Sequence, residues 1–355
     1  MKRIVLTGGG TAGHVTPHLA LIPRLKEKGY DIHYVGTPNG IERTMMEQVE
    51  GVTYHAVESG KLRRYLDFKN VTDFFRVIKG IRQATKLMRE LHPDVVFSKG
   101  GFVSVPVVRG AAANRIPILC HESDLTPGLA NKLSTRYAAK VCCTFPECAK
   151  AMGEKGVYTG TPLRPELFLG RREEGLRLSG FDGKRPILLM TGGSLGAQAV
   201  NKALRDALCR LTKDFDVIHL TGKGNLDASL EGTPGYKQFD FVTGEMPHLL
   251  KCADIVLSRA GANTLCELQA LKKPMLLVPY PTAASRGDQI LNAESYRSRG
   301  LAHVLDQSAM TGDTLADAIA DLWNDRERLA AALESAPPPD GTEAILKLIE
   351  EIQVK

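Results

Sequence analysis

At 355 residues, 43% of them hydrophobic and 24% charged, the chain is too long for one core and too apolar for disorder, so two globular domains are expected. Met1-Lys2-Arg3 runs straight into an apolar strand, and no window reaches the roughly 20 apolar residues of a membrane span, so neither a signal peptide nor a transmembrane helix is expected. The seven cysteines are scattered without a CxxC pair, which suits a reducing cytoplasm and argues against zinc; the net charge of +6 equals the excess of one segment, Gly60 to His92, where nine cations face three acids.

Arg3 to Thr7, with the apolar run Ile4-Val5-Leu6, reads as a strand feeding Gly8-Gly9-Gly10-Thr11-Ala12-Gly13-His14, after which Leu19, Leu21, Ile22 and Leu25 mark a helix from about Pro17 to Lys28. Strands follow at Asp31 to Gly36 and Val52 to Val57, with a short helical stretch around Met45 between them. Beyond the basic segment come strands at Asp94 to Ser98, Pro117 to His121 and Lys140 to Cys143, with a Gly100-Gly101 turn after the first. The texture changes between Gly160 and Pro186, a Pro-rich and charge-rich stretch that reads as the link between domains. Ile187 to Met190 then leads into Thr191-Gly192-Gly193-Ser194-Leu195-Gly196-Ala197-Gln198 and a helix through Leu204, Leu208 and Leu211, so the second half opens as the first did. Further strands are expected at Val217 to Thr221, Lys237 to Val242, Ile255 to Ser258, Pro274 to Pro279 and Leu301 to Leu305. Pro337-Pro338-Pro339 interrupts the helical pattern before a last helix, Thr342 to Gln353. Strands spaced by helices imply parallel sheets, and the architecture expected is two Rossmann-like α/β domains facing across a cleft, residues 1–163 and 164–340, with helix 341–355 packing back on the first.

The opening loop satisfies GxGxxG with Gly8, Gly10 and Gly13, and backbone N–H groups at a helix start favour anions. A dinucleotide fold would also place an acid at the end of the second strand; here that strand runs into Gly36-Thr37-Pro38-Asn39, with no acid until Glu42, which weakens a nicotinamide reading. His14 is a titratable side chain where the loop enters the helix, and it is either structural or a catalytic base. The Thr191 to Gln198 turn suits diphosphate, with Ser194 as a hydroxyl donor, or is a plain βα turn. In Ser258-Arg259-Ala260-Gly261-Ala262-Asn263-Thr264-Leu265-Cys266-Glu267, the N–H groups of Ala262 and Asn263 lie at a helix start and Glu267 can accept from ribose hydroxyls. Asp288 and Gln289 either cap their helix or bind sugar hydroxyls. Asp214-Phe215-Asp216 resembles a metal-holding DxD but precedes its strand, at the edge opposite these loops, so no metal site and no cofactor are expected.

In the basic segment, Phe74, Val77, Ile78, Ile81, Ala84, Met88 and Leu91 form an apolar stripe, with Arg76, Lys79, Arg82, Lys86 and Arg89 on the other side. Leu62, Tyr65, Leu66, Phe68 and Phe75 interleave with the excess cations, a mixture that suits an anionic membrane surface; no recognised motif supports nucleic acid.

T-G-G-G-T-A-G-H-V-T-P, H-E-S-D, G-T-P-L-R-P-E, T-G-G-S-L-G-A-Q, S-R-A-G-A-N-T-L-C-E and D-Q-I-L-N-A, in this order and in register to about Ala293, resemble the MurG-type glycosyltransferases of bacterial peptidoglycan synthesis. The resemblance implies the metal-independent glycosyltransferase B fold and inverting transfer of N-acetylglucosamine from UDP-GlcNAc to the 4-hydroxyl of undecaprenyl-diphosphate-linked muramoyl-pentapeptide, at the cytoplasmic face of the membrane. It implies that Thr11, Ala12 and Gly13 reach the donor sugar and phosphates, and that His14 is the general base or orients the acceptor. It further implies donor contacts at Arg164, Ser194, Ala262, Asn263, Thr264, Asp288 and Gln289, with Glu267 on the ribose. Ala12 stands where Gly is common, and Asp124 stands where an Asn often contacts the donor. A diacylglycerol glycosyltransferase is the nearest rival; a dehydrogenase and a UDP-sugar binding module are the rivals from other classes.

Overall fold

The computed structural model describes residues 2–60, 69–193, 196–282 and 287–353, with side chains from 73 onward in the second of these stretches. The chain divides into two compact units, unit 1 comprising Met1–Arg164 with Asp340–Lys355 and unit 2 comprising Pro165–Pro339.

The first segment runs β1 (Lys2–Gly8), α1 (Thr16–Glu27), β2 (Tyr30–Gly36), α2 (Ile41–Met46), β3 (Val52–Ala56), α3 (Lys69–Leu91), β4 (Val95–Gly100), α4 (Ser104–Ala113), β5 (Ile118–Glu122), α5 (Leu129–Thr135), β6 (Lys140–Cys143), α6 (Pro146–Ala151) and β7 (Gly156–Tyr158). Unit 2 runs α7 (Arg172–Ser179), β8 (Ile187–Thr191), α8 (Gln198–Leu211), β9 (Asp216–Leu220), β10 (Tyr236–Phe239), α9 (Met246–Cys252), β11 (Ile255–Ser258), α10 (Ala262–Ala270), β12 (Met275–Leu277), α11 (Asp288–Ser298), β13 (His303–Val304) and α12 (Gly312–Ser335). The chain then closes on α13 (Thr342–Ile352) in unit 1.

Both sheets are parallel, in the orders β3-β2-β1-β4-β5-β6-β7 and β10-β9-β8-β11-β12-β13. Their central strands open on apolar runs because helices cover both faces, and β4, β5, β8 and β11 are buried throughout. The strand order reverses between β1 and β4 and again between β8 and β11, so the crossovers on either side diverge and leave a crevice at the C-terminal ends of those strands. The expected fold class, two parallel α/β domains, is therefore observed.

The stretch read as an interdomain link is mostly structured: the break falls between Arg164 and Pro165, one residue beyond the expected boundary, and α7 packs on α9. A Cβ on Gly175 would lie 2.3 Å from the His248 carbonyl oxygen, so glycine there permits the close approach. The final helix belongs to unit 1 through Ile345, Leu346 and Ile349, which join the core with Ile4, Leu6, Tyr34 and Phe97. Each such fully buried side chain contributes about 1.5–3 kcal/mol. Asp340 starts this return by accepting from Thr342 N at 3.0 Å and from Leu163 N at 3.3 Å.

Candidate active site

In unit 1 the glycines of the first loop make room for a buried carboxylate. Glu42, fully buried, accepts from Gly10 N at 3.2 Å and Thr37 N at 3.1 Å, and Cβ atoms on Gly9 or Gly40 would overlap it. The first acid after the second strand is thus spent on two loops of its own unit, which removes the ribose partner that a dinucleotide site would need. Gly10 adopts φ +83°, and a Cβ there would meet the Phe102 ring at 2.5 Å. The loop ends in one 3-10 turn, Ala12–His14, before α1. Thr11 and Gly13 are exposed, whereas Ala12 and His14 are half-buried. Thr11 Oγ1 and His14 Nδ1 lie 2.8 Å apart. With Nδ1–H donating to Thr11, His14 Nε2 carries the lone pair that a general base requires.

Beneath this loop lie His18, Lys99 and His121, all buried. A Cβ on Gly8 would come within 3.0 Å of His18 Nε2 and 3.1 Å of Lys99 Cβ, so the loop rests on these side chains. Lys99, only 1% exposed, donates to His121 Nδ1 at 2.8 Å and to Ser123 Oγ. His121 Nε2 is 2.9 Å from the Gly160 carbonyl; a carbonyl only accepts, so Nε2 bears the proton and Nδ1 is the acceptor for Lys99. Burial first, and then the Lys99 charge, hold His121 well below the ordinary histidine value and His18 at about 3. Glu122 is pushed up to about 7, chiefly by burial, although its carboxylate accepts from Asn131 Nδ2 at 2.6 Å and from Asp124 N at 3.0 Å. Asp124 is therefore presented by a turn that is tied at several successive residues. Arg164 is exposed, four residues past Gly160.

Unit 2 gathers its candidates at the ends of β11 and β12. Gly261 caps α10, so the Ala262 and Asn263 N–H groups open that helix. Asn263, Thr264 and Glu267 follow at i, i+1 and i+4, which places Glu267 on the same side as the other two. All three are half-buried, and Ala262 is buried. Asp288 and Gln289 begin α11; Gln289 Oε1 accepts from Tyr280 N at 3.2 Å, which fixes the loop after β12. Arg259, to which sequence reading assigned no role, is 6% exposed and donates to the Val278 and Pro279 carbonyls at 2.9 and 3.3 Å, its guanidinium 4.0 Å from the Tyr280 ring centroid. Ser194 lies outside the described residues.

Lys99 was likewise not singled out from sequence, although its signal is present: a lysine at the end of a buried strand that opens Val-Val-Phe, immediately before two glycines. Asp216 opens β9, nearly buried and paired with Arg185, so that acid is taken up by an ion pair. No group of three or more metal-ligating side chains occurs among the described residues. Six of the seven cysteines are buried and all are free.

On α3, Ala84 and Met88 face inward, and a Cβ on Gly110 of α4 would approach the Ala84 backbone at 2.7 Å. Phe74 does not join this buried side, contrary to expectation: it is 53% exposed beside Phe75 at 65%, because Asp73 occupies the inward position of that turn. Arg76, Lys79 and Lys86 project from the same helix, each near one acid. Leu62, Tyr65, Leu66 and Phe68 lie outside the described residues. No helix among the described residues is long and apolar enough to cross a membrane.

Residues 4–143 match the glycosyltransferase family 28 N-terminal domain and residues 187–350 the family 28 C-terminal domain. The chain is 53% identical over 352 residues to the UDP-N-acetylglucosamine–N-acetylmuramyl-(pentapeptide) pyrophosphoryl-undecaprenol N-acetylglucosamine transferase of Lachnospira eligens, covering 99% of each. It is 51% identical to the Clostridium tetani enzyme of the same name, over 99% of this chain and 98% of that one. The crystal structure of Acinetobacter baumannii MurG superposes with a TM-score of 0.80 at 26% identity, covering 99% of this chain and 100% of that one. The chain belongs to the MurG-type N-acetylglucosaminyltransferases, glycosyltransferases of family 28 with the B-type fold.

Proposed function

We propose that the protein moves N-acetylglucosamine from UDP-GlcNAc to the 4-hydroxyl of undecaprenyl-diphosphate-linked muramoyl-pentapeptide, with inversion. The observation that carries this reading is end-to-end identity above half with transferases named for that reaction, across both units. The acceptor oxygen forms a bond to the sugar C1 as the bond from C1 to the UDP oxygen breaks, and His14 Nε2 takes the hydroxyl proton. The donor belongs to unit 2: the N-terminus of α10 stabilises developing diphosphate charge with Ser194 as a hydroxyl donor, Glu267 accepts from the ribose hydroxyls, and Asn263, Thr264, Asp288 and Gln289 serve the nucleotide and sugar. Thr11, Ala12, Gly13, Asp124 and Arg164 are the substrate-binding residues of unit 1.

Unit 1 also carries the membrane-facing surface. Phe74 and Phe75 supply apolar area, and Arg76, Lys79 and Arg82 each add roughly 1 kcal/mol of attraction to anionic lipid. The enzyme acts as a peripheral protein on the cytoplasmic leaflet, where its lipid-linked acceptor is held.

The purified chain should release UDP from UDP-GlcNAc only when the lipid-linked muramoyl-peptide is added. Equal turnover with diacylglycerol, or a preference for UDP-glucose, overturns the assignment. Reversing the charge of Arg76, Lys79 and Arg82 should weaken sedimentation with anionic vesicles; unchanged sedimentation removes the membrane role from α3.

A further inference from the structure

We propose that Lys99 is a positioning residue for the transfer: its buried ammonium holds the His121 to Asp124 turn by donating to His121 Nδ1 and Ser123 Oγ beneath the loop that carries His14. The inference rests on the transferase reading above.

Packing alone does not call for a lysine here. Val95, Val96 and Phe97 of the same strand are fully buried hydrocarbons, and a methionine would fill the Lys99 site without desolvating an ammonium. What methionine lacks is the pair of directed donors. Lys99 fixes residues 121 and 123, while the Glu122 carboxylate, itself held by Asn131, fixes the amide of Asp124. Successive residues of the turn are thus held from two strand and helix ends, β4 and α5. The same lysine stem underlies Gly8, with His18 Nε2 beside it, so a displaced Lys99 disturbs both the turn and the His14 loop. Burial comes first in setting the charge state of the groups around it, and the ammonium adds a smaller effect. It disfavours protonation of His18 and His121, which keeps the His121 lone pair available to it, and it favours the ionised form of Glu122. Lys99 touches no substrate; it acts through the turn and the first loop.

The test uses the full chain carrying Lys99→Met, Lys99→Gln, Asp124→Ala and the Lys99→Met/Asp124→Ala pair. Readouts are UDP release with lipid-linked acceptor, calorimetric UDP-GlcNAc binding, melting temperature, and 15N chemical shifts of the histidine rings. Lys99→Met should lower kcat by about 10- to 100-fold, as expected when reacting groups are misplaced by a fraction of an ångström to an ångström, with its melting temperature undiminished. Lys99→Gln, which keeps a donor, should recover part of the rate. The pair should lose less than the product of the two single losses, because the two changes share one turn. An unchanged kcat in Lys99→Met overturns the proposal, as does a rate loss that tracks a lowered melting temperature or adds fully to Asp124→Ala. Should the wild-type chain not transfer at all, the transferase reading fails first. The ring shifts then still report on Lys99: a His121 Nδ1 resonance that does not move between wild type and Lys99→Gln refutes the anchoring contact itself.

Discussion

In unit 1 the sheet edge under Gly8 to Gly10 encloses a lysine, two histidines and two glutamates, His18, Lys99, His121, Glu42 and Glu122, all nearly inaccessible to water. In unit 2 the matching edge, among the described residues, buries Thr191, Thr221, Ser258 and Asn292, with one charge, Arg259, bonded to backbone carbonyls. Two βα turns that read alike in sequence therefore sit on different foundations. A foundation of coupled titratable groups sets protonation states, which is what a proton transfer from a sugar hydroxyl needs. A foundation of neutral hydroxyls, amides and helix N-termini holds its geometry whatever the pH, which is what recognition of a nucleotide diphosphate needs. The histidines repeat the contrast. His219 of unit 2 is bonded at both nitrogens, to Tyr236 Oη at 2.8 Å and Asn201 Oδ1 at 3.1 Å, while His18 packs edge-on against Tyr34 and Phe97.

The sharpest break of this comparison is His14→Ala. Turnover should fall by roughly 10²–10⁴-fold, the usual worth of a positioned base, while calorimetric UDP-GlcNAc binding persists. Loss of donor binding in that variant would move recognition into unit 1 and dissolve the contrast. Glu267→Ala should do the reverse, weakening UDP-GlcNAc binding by about 1.5–3 kcal/mol, the typical worth of hydrogen bonds to a charged group. Unaltered affinity would leave unit 2 without its ribose carboxylate.

Acid titration compares the two foundations directly. His18 and His219 fall from the ordinary 6.5 to about 3, chiefly through burial, and His121 shifts the same way. A lowered histidine value contributes stability that is present above pH 6.5 and is lost as pH falls toward 3; at pH 5 the loss is about 2 kcal/mol per fully shifted histidine. Glu122 runs the other way, since its value rises from 4.5 to about 7: its favourable contribution is present below pH 4.5 and is lost as pH rises through 7. Denaturant unfolding between pH 7 and 5 should therefore show destabilisation, and Glu122→Gln should steepen it by about 2 kcal/mol. An unchanged slope in that variant would mean that Glu122 stays ionised across the range. The smallest effect expected is that of Gly10→Ala, at about 1–2 kcal/mol, read from the urea midpoint, because φ +83° and the Phe102 ring both oppose a side chain there. No change in midpoint would show that the first loop rearranges freely.

Much of the fold is legible in the chain. β6 and β11 fall where alternating apolar runs and turn residues place them, and β1, β2 and β8 within a residue or two. β7 was not legible, because Gly-Val-Tyr is too short to carry a pattern, nor was α7, because a Pro- and charge-rich neighbourhood conceals an eight-residue helix that is buried mainly through Gly175 and Ser179. Thr11 with His14, and Asn263 with Glu267, stand close enough in sequence for local geometry to bring them together. Glu42 and Lys99 were illegible as anchors, because their partners lie as much as 32 residues away for one and 22 to 24 for the other.

Taken alone, the sequence determined the two βα repeats, the glycine turns at their strand ends, the family to which the chain belongs and the cationic α3, since each depends on neighbours within a few positions or on motifs in fixed order. Only the tertiary structure decided what lies beneath those turns. A parallel sheet brings the ends of β1, β4 and β5 together although they are separated by some 90 and 20 residues, and whether a buried lysine there meets a histidine, a serine or a void is fixed by that register. Burial then sets the protonation of what it meets, because an ion loses its hydration on leaving water and recovers it only where the fold supplies a donor or an acceptor at bonding distance.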